Sequence, residues 1–127
     1  MSRIAPMVAA LLLTCGAAQA EPAEMCRSTS RLVGACFAVH GRLSAWNGTP
    51  TFRIQPSGTK RILGVDAADG DPEHALPPSL EALVKPDAFK VDLDGDFLVC
   101  PFAPDRPGHM RFVCIADASS LKVHRRE

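Results

Sequence analysis

Apolar and polar residues alternate over positions 37–46 and again over 51–55, and this period of two predicts a pair of β-strands. Asn47-Gly48 stands between them, and this dipeptide is typical of the two-residue turn in a tight hairpin. Such a turn fixes the register and sets Arg42 directly opposite Arg53. The predicted apolar face consists of Phe37, Val39, Leu43, Ala45, Phe52 and Ile54. The predicted polar face consists of His40, Arg42, Ser44, Trp46, Thr51, Arg53 and Gln55.

The chain after this hairpin predicts three more strands and one short helix. Residues 79–84 form the helix, because they follow Pro77-Pro78 and Ser79 is a suitable N-cap. Residues 66–78 contain Gly and Pro without periodicity and are predicted to be a loop. The strands are predicted at 61–65, 96–102 and 110–116. Both faces of the last two strands are apolar, which indicates a sheet that is closed or covered on both sides.

Residues 1–20 have the layout of a secretion signal. Arg3 is followed by an apolar run over 7–13 and by Ala18-Gln19-Ala20, a cleavage motif of the A-x-A type. Cleavage after this motif would leave residues 21–127, a length that suits a single domain. We therefore expect a protein that is periplasmic or secreted.

A lipid anchor is the alternative fate of this N-terminal segment. Residues 12–15 resemble the box of bacterial lipoproteins, in which Cys15 would carry the lipid. Thr14, however, stands where Gly or Ala is usual, so cleavage after Ala20 is the preferred prediction. No later stretch is long and apolar enough to predict a transmembrane segment.

Four cysteines follow the predicted signal: Cys26, Cys36, Cys100 and Cys114. An even number in an exported domain indicates two disulfides. A hairpin centred on Pro107 would place Cys100 opposite Cys114, so we expect these two to be bonded, with Cys26–Cys36 following by elimination. A zinc site drawing on Cys100, His109 and Cys114 is the alternative, but export favours the disulfide. No metal or cofactor is therefore predicted.

Charged residues balance in number but are segregated along the chain. There are 14 basic and 14 acidic residues, and this balance argues against a general polyanion binder. Residues 21–61 carry six cations, whereas residues 66–96 carry nine acids, and such segregation can orient a partner. Within the acidic part, residues 92–96 (DLDGD) resemble the start of a calcium loop. The bidentate Glu of such loops is absent, so a simple Asp-Gly turn is predicted there.

The order of predicted elements resembles the oligonucleotide/oligosaccharide-binding (OB) fold, a five-stranded barrel with a helix between its third and fourth strands. This resemblance implies a mainly-β fold, a small five-stranded OB-like barrel with one short helix between strands 3 and 4; a β-sandwich is the alternative. The chain is also similar to small uncharacterised exported bacterial proteins. That similarity lies in residues 36–54 (CFAVHGRLSAWNGTPTFRI), 58–65 (GTKRILGV), 99–102 (VCPF) and 107–114 (PGHMRFVC).

The polar face of the first hairpin is the candidate binding surface, as the OB resemblance implies. Arg42 and Arg53, if directly opposed, would repel each other, and a bridging anion would relieve that repulsion. Trp46 lies near the turn of the same face and could stack on a base or a sugar ring. With His40, these residues are the predicted ligand-binding set. The structural alternative is that both arginines extend into water and Trp46 covers the end of the barrel.

The function expected from these features is that of an exported, non-enzymatic binding or accessory module for an anionic or sugar-like ligand. No sequence motif of a nucleophilic enzyme is present: there is no G-x-S-x-G, no C-x-x-C and no Gly-rich phosphate loop. The second hypothesis is a structural subunit of a cell-envelope complex, with the arginine face as a protein interface. A small hydrolytic enzyme is the third.

Overall fold

The computed structural model describes residues 3–5, 10 and 22–126, and it is mainly β. The strands are β1 (Phe37–Ala45), β2 (Phe52–Pro56), β3 (Leu63–Val65), β4 (Val91–Pro101) and β5 (Arg111–Arg125). Two helices, α1 (Pro22–Ser28) and α2 (Pro78–Val84), and two short 3₁₀ turns, Pro72–His74 and Ala88–Lys90, complete the elements. The predicted signal over residues 1–20, including Cys15, lies outside the described residues except for positions 3–5 and 10.

The five strands form one mixed sheet whose hydrogen bonds close into a ring, in the order β1-β2-β3-β5-β4. Four of the pairs are antiparallel, and β4 pairs back with β1 to complete the ring. The contact between β3 and β5 is parallel. All strands thus belong to a single sheet rather than to the two facing sheets of a sandwich.

Side chains on one face of each strand fill the inside of this ring. The most deeply buried large apolar residues are Leu43, Ile54, Val65, Leu80, Val91, Leu93, Phe97, Val99 and Val113, and all but Leu80 belong to strands. Leu43 and Ile54 are directly paired, and both belong to the apolar face predicted for the first hairpin. Since each fully buried side chain of this kind contributes about 1.5–3 kcal/mol, this interior is the main stabilising element of the fold.

The first hairpin is paired two residues away from its predicted register. Arg42 lies opposite Gln55, and Arg53 lies opposite Ser44, so the predicted Arg42–Arg53 pair is wrong. The physical reason is the loop: Trp46 N–H donates to the Thr51 carbonyl, which leaves four residues between the strands instead of two. A shift by two residues keeps every side chain on its own face, and the predicted division into apolar and polar faces agrees with the burial.

Strand β4 begins earlier than predicted and contains the whole acidic segment 92–96. The predicted Asp-Gly turn is therefore wrong. Gly95 is part of a β-bulge instead, because the register between β4 and β5 shifts between Asp94 and Asp96. On β5 the bulge includes Ser120, whose φ of 53° is in the left-handed region. The bulge bends the sheet at this point while keeping the carboxylates on its outer face.

The disulfides connect Cys26 to Cys114 and Cys36 to Cys100, so the predicted pairs Cys100–Cys114 and Cys26–Cys36 are wrong. The predicted placement of Cys100 opposite Cys114 is nevertheless confirmed, because the two are directly paired in the β4–β5 ladder. Pairing between β1 and β4 aligns Phe37 with Val99, which brings Cys36 beside Cys100. Helix α1 brings Cys26 to the other side of Cys114. Each bond thus joins an N-terminal cysteine to a C-terminal strand.

The ends of several elements also differ from their predicted positions. Helix α1 was not predicted. The N-cap of α2 is Pro77 rather than Ser79, and no side chain caps that helix. The last strand, predicted at 110–116, continues to Arg125, because β4 starts at Val91 and offers these residues a partner. The early start of β4 and the late end of β5, relative to the predicted strands, form a single extension of the sheet.

Candidate functional site

A groove of about 290 Å³ lies on the outer face of β1 and β2, the polar face predicted from the sequence. Its lining consists of Arg42, Ser44, Trp46, Arg53, Gln55, Ile62, Asp92 and Arg126. Three of the four predicted site residues are among them. His40 lies outside the groove, two residues along β1 from Arg42.

Trp46 and Arg53 lie side by side in the lining of this groove. Trp46 is 51% exposed, a large fraction for an indole ring. The Arg53 guanidinium carbon lies 5.8 Å from the centre of that ring, and Arg53 Nε donates to the Pro50 carbonyl at 3.1 Å. The terminal amino groups of Arg53 donate no hydrogen bond to any described residue. An exposed ring and a pair of donors without a hydrogen-bond partner among the described residues therefore lie side by side.

Asp92 is a buried carboxylate at the floor of the groove, where its side chain is 6% exposed. Ser44 Oγ donates to Asp92 Oδ1 at 2.7 Å. Two guanidinium groups face the same carboxylate, Arg126 at 3.4 Å and Arg42 at 3.7 Å. The charge of this buried carboxylate is therefore compensated by guanidinium groups at the floor of the groove.

Arg42 is already paired with a carboxylate outside the groove. Its Nε and terminal nitrogen donate to both oxygens of Asp94, at 2.8 and 3.0 Å. This hydrogen-bonded pair raises the pKa of Arg42 and lowers the pKa of the Asp94 carboxyl. The prediction that an anion bridges Arg42 and Arg53 therefore loses its reason, because the two are not opposed and Arg42 has its own counterion.

His40 takes part in the same series of pairs between β1 and β4. Its Nδ1 lies 2.8 Å from Asp96 Oδ1, and the two residues are direct partners in the ladder. Asp96, Asp94 and Asp92 thus face His40, Arg42 and Ser44 in order along the two strands. The charge segregation in the sequence corresponds here to pairing between a basic strand and an acidic strand.

Sequence reasoning missed three members of the groove, and two of them, Asp92 and Arg126, are charged. Asp92 falls in the segment predicted to be an Asp-Gly turn, and no element is predicted at Arg126. A signal for Asp92 was present: Val91 and Leu93 alternate with the acids, which is the period of a strand with its acids facing out. No local pattern indicated the position of Arg126, because that position depends on distant residues. The backbone N–H of Arg126 donates to the Lys90 carbonyl, and its guanidinium donates to the Phe89 carbonyl.

A larger cavity of about 590 Å³ lies between α2 and the segment before it. Its walls include Phe52, Leu76 and Val84, with Glu73 and Glu81 among the polar lining residues. Nothing described in the structure covers this cavity. It lacks the combination of an accessible aromatic ring and free donors that is found in the groove.

The cysteines are the one cluster of potential metal ligands among residues 22–126. The Sγ atoms of Cys26, Cys100 and Cys114 lie within 4.8 Å of one another. All three are engaged in disulfides, which occupy the sulfur atoms that a metal would need. Two disulfides fit an oxidising compartment. Over the described part of the chain, no helix has the length and apolar character needed to cross a membrane.

Comparison of the chain with protein-family models, with curated proteins and with solved structures finds no match. The chemistry of the groove is therefore inferred from the residues that line it. Those residues supply an aromatic platform, donors on three arginines and a single buried acceptor.

Proposed function

We propose that this protein is an exported, non-enzymatic binding module, an OB-like barrel that holds an anionic carbohydrate in the groove between Trp46 and Arg126. The observation that carries the proposal is the exposed Trp46 ring beside the accessible donors of Arg53. A sugar ring can stack on an indole, and a carboxylate or sulfate on that sugar would accept from the guanidinium.

The strand arrangement supports the OB-like barrel. Five strands joined in a ring, a helix between β3 and β4, and the connection of β1 to β2 beside the groove all agree with that fold. OB folds bind oligosaccharides and oligonucleotides on the corresponding face and its neighbouring loops. The two disulfides and the predicted secretion signal support a periplasmic or secreted location.

The charges in the groove favour an anionic carbohydrate over a nucleic acid. The local excess of arginine is small, and the balance of 14 basic and 14 acidic residues leaves no extended basic surface for a phosphate backbone. Asp92, accepting from Ser44, would in addition repel a closely spaced row of phosphates. A short ligand with one or two negative groups and exposed hydroxyls fits better.

Intrinsic fluorescence tests the proposal directly, because Trp46 is the only tryptophan in the chain. The probes are a uronic-acid oligosaccharide, a neutral oligosaccharide of the same length, and inorganic phosphate. We expect the acidic oligosaccharide to change the Trp46 emission with saturation, and the other two to have little effect. Trp46→Ala and Arg53→Ala should each weaken binding, measured by calorimetry, by about tenfold or more.

Phe89→Ala and Arg27→Ala are the matched controls. Phe89 is also 51% exposed, and Arg27 is an exposed arginine, and neither lines the groove. Both variants should bind like the parent protein. If the acidic oligosaccharide does not bind, or binds equally well after Trp46→Ala, the proposal is overturned. If the groove variants instead abolish co-purification of another envelope protein, the structural-subunit hypothesis replaces it.

A further inference from the structure

The two disulfides lie next to each other at the end of the β4–β5 ladder. Cys100 and Cys114 are direct cross-strand partners, yet each is bonded to a different N-terminal cysteine. The Sγ atoms of Cys100, Cys114 and Cys26 are mutually within 4.8 Å. A thiolate freed on any of these sulfurs would therefore already be near the neighbouring disulfide.

Access to this cluster is uneven. Cys26, Cys100 and Cys114 are at most 3% exposed, whereas Cys36 is only partly buried. An external thiol would therefore meet Cys36 first, because thiol–disulfide exchange requires access to the sulfur that is attacked. The bond it opens is the one to Cys100, which is the cysteine facing Cys114.

We propose that the four cysteines form a disulfide relay, in which a small thiol that attacks Cys36 releases Cys26 and so removes the covalent anchor of helix α1. In the first step, the external thiolate bonds to Cys36 Sγ, the Cys36–Cys100 bond breaks, and Cys100 leaves as a thiolate. In the second step, Cys100 Sγ attacks Cys114 Sγ, the Cys26–Cys114 bond breaks, and Cys26 leaves as a thiolate that takes a proton from water.

The relay involves no net oxidation or reduction. Two disulfides are present at the start, and two are present at the end, the mixed disulfide on Cys36 and the bond Cys100–Cys114. One thiol is consumed and one is formed, so no oxidant is needed. The new bond is sterically allowed because directly opposed residues of a ladder have Cα atoms about 4.5–5.5 Å apart, within the range of disulfides.

Release of Cys26 would change how the N-terminal segment is held. In the present state α1 is attached to β5 through Cys26–Cys114. After the relay, the contacts that hold the N-terminal segment are non-covalent, among them the Arg31 bonds to Asp66 and to the Ala67 carbonyl and the bond from Val33 N–H to the Pro101 carbonyl. Helix α1 would then open more often, and a protease would reach it more easily.

The test treats the purified oxidised protein with limiting glutathione, blocks free thiols with N-ethylmaleimide under acid quench, and maps the non-reduced peptides by mass. We expect glutathione on Cys36, N-ethylmaleimide on Cys26, and a new Cys100–Cys114 peptide in place of Cys26–Cys114. Tryptic cleavage after Arg27 should become faster in the same samples. Label on Cys100 with the Cys26–Cys114 peptide intact would overturn the proposal.

A double variant gives a second and independent result. Cys26→Ser with Cys36→Ser leaves Cys100 and Cys114 without their present partners. We expect these two to bond to each other in air, which peptide mapping would detect. If they remain free thiols in a variant that is folded by circular dichroism, the second step of the relay is excluded.

Discussion

Gly41 on β1 lies directly opposite Gly95 on β4, and neither position has room for a side chain. A Cβ on Gly41 would overlap the carbonyl oxygen of Gln55, which belongs to the backbone of β2. A Cβ on Gly95 would lie 2.7 Å from Leu121 Cδ2 and 2.9 Å from the Ser119 carbonyl oxygen. The two glycines therefore let four neighbouring strands, β2, β1, β4 and β5, approach closely where the sheet bends.

Gly41→Ala is expected to destabilise the protein by about 1–3 kcal/mol or more, because a backbone atom cannot move aside as a side chain can. The free energy of unfolding in urea measures the effect. Gly34→Ala is the matched control, since its Cβ would meet only Pro101 Cγ at 3.7 Å, an ordinary contact. Equal stability of the two variants would contradict the close approach at Gly41.

Asp92 and Asp94 should differ in their importance for stability, although they are two residues apart on the same strand. Asp92 is buried and accepts from Ser44, so Asp92→Ala removes that bond and leaves Arg126 without its carboxylate. We expect a loss of about 1–3 kcal/mol. Asp94 is an exposed partner of Arg42, so Asp94→Ala should cost less than about 1 kcal/mol. Urea unfolding of both variants measures the difference, and equal losses would contradict it.

His74 and Asp69 form an exposed pair whose contribution depends on pH. The hydrogen bond between them raises the pKa of His74 and lowers the pKa of the Asp69 carboxyl. The lowered carboxyl pKa gives stability that is present above about pH 4 and is lost as pH falls through the folded value. The raised imidazole pKa gives stability that is present below about pH 6.5 and is lost as pH rises through the folded value. The pair therefore contributes its full stabilisation between about pH 4 and about pH 6.5.

NMR titration of His74 measures this coupling. In Asp69→Asn, the pKa of His74 should fall towards the ordinary value for histidine, because its main partner is lost. Glu73→Gln is the control, since Glu73 has the smallest effect on His74 and its removal should lower the pKa much less. An unchanged His74 pKa in Asp69→Asn would show that the pair does not form in solution.

Each disulfide should contribute strongly to stability because each closes a long loop. The bonded cysteines are 88 and 64 residues apart in sequence, and loops of this length predict about 4 kcal/mol per bond. Full reduction is therefore expected to unfold the domain or to lower its urea midpoint severely. Non-reduced peptide mapping of the native protein checks the pairs themselves. A Cys26–Cys36 peptide in the untreated protein would contradict the connectivity.

The sequence predicted local features of this fold well. The alternation in the first hairpin assigned its two faces, and the turn-rich loop before Met110 placed Cys100 opposite Cys114. Both inferences depend on neighbours along the chain. A shift of two residues in the first hairpin did not change the faces, so three of the four predicted site residues still line one groove.

The features that were missed depend on contacts between distant parts of the chain. No local pattern indicates that β1 pairs with β4, and this pairing brings Cys36 to Cys100 and Arg42 to Asp94. The segregation of charged residues along the chain was the one indication of the pairing between β1 and β4. The loop length of the first hairpin could not be predicted from the pattern either, because Asn47-Gly48 favours a two-residue turn, whereas four residues separate the bonded Trp46 and Thr51.

The position of β5 in the ring has a consequence for synthesis. This strand comprises residues 111–125, and it is the partner of both β3 and β4. The ring cannot close until β5 has left the ribosome, and contacts between such distant segments form late. A polypeptide truncated before residue 111 would have no partner for Cys26 and no cover for the interior. We expect it to remain unfolded and to be degraded.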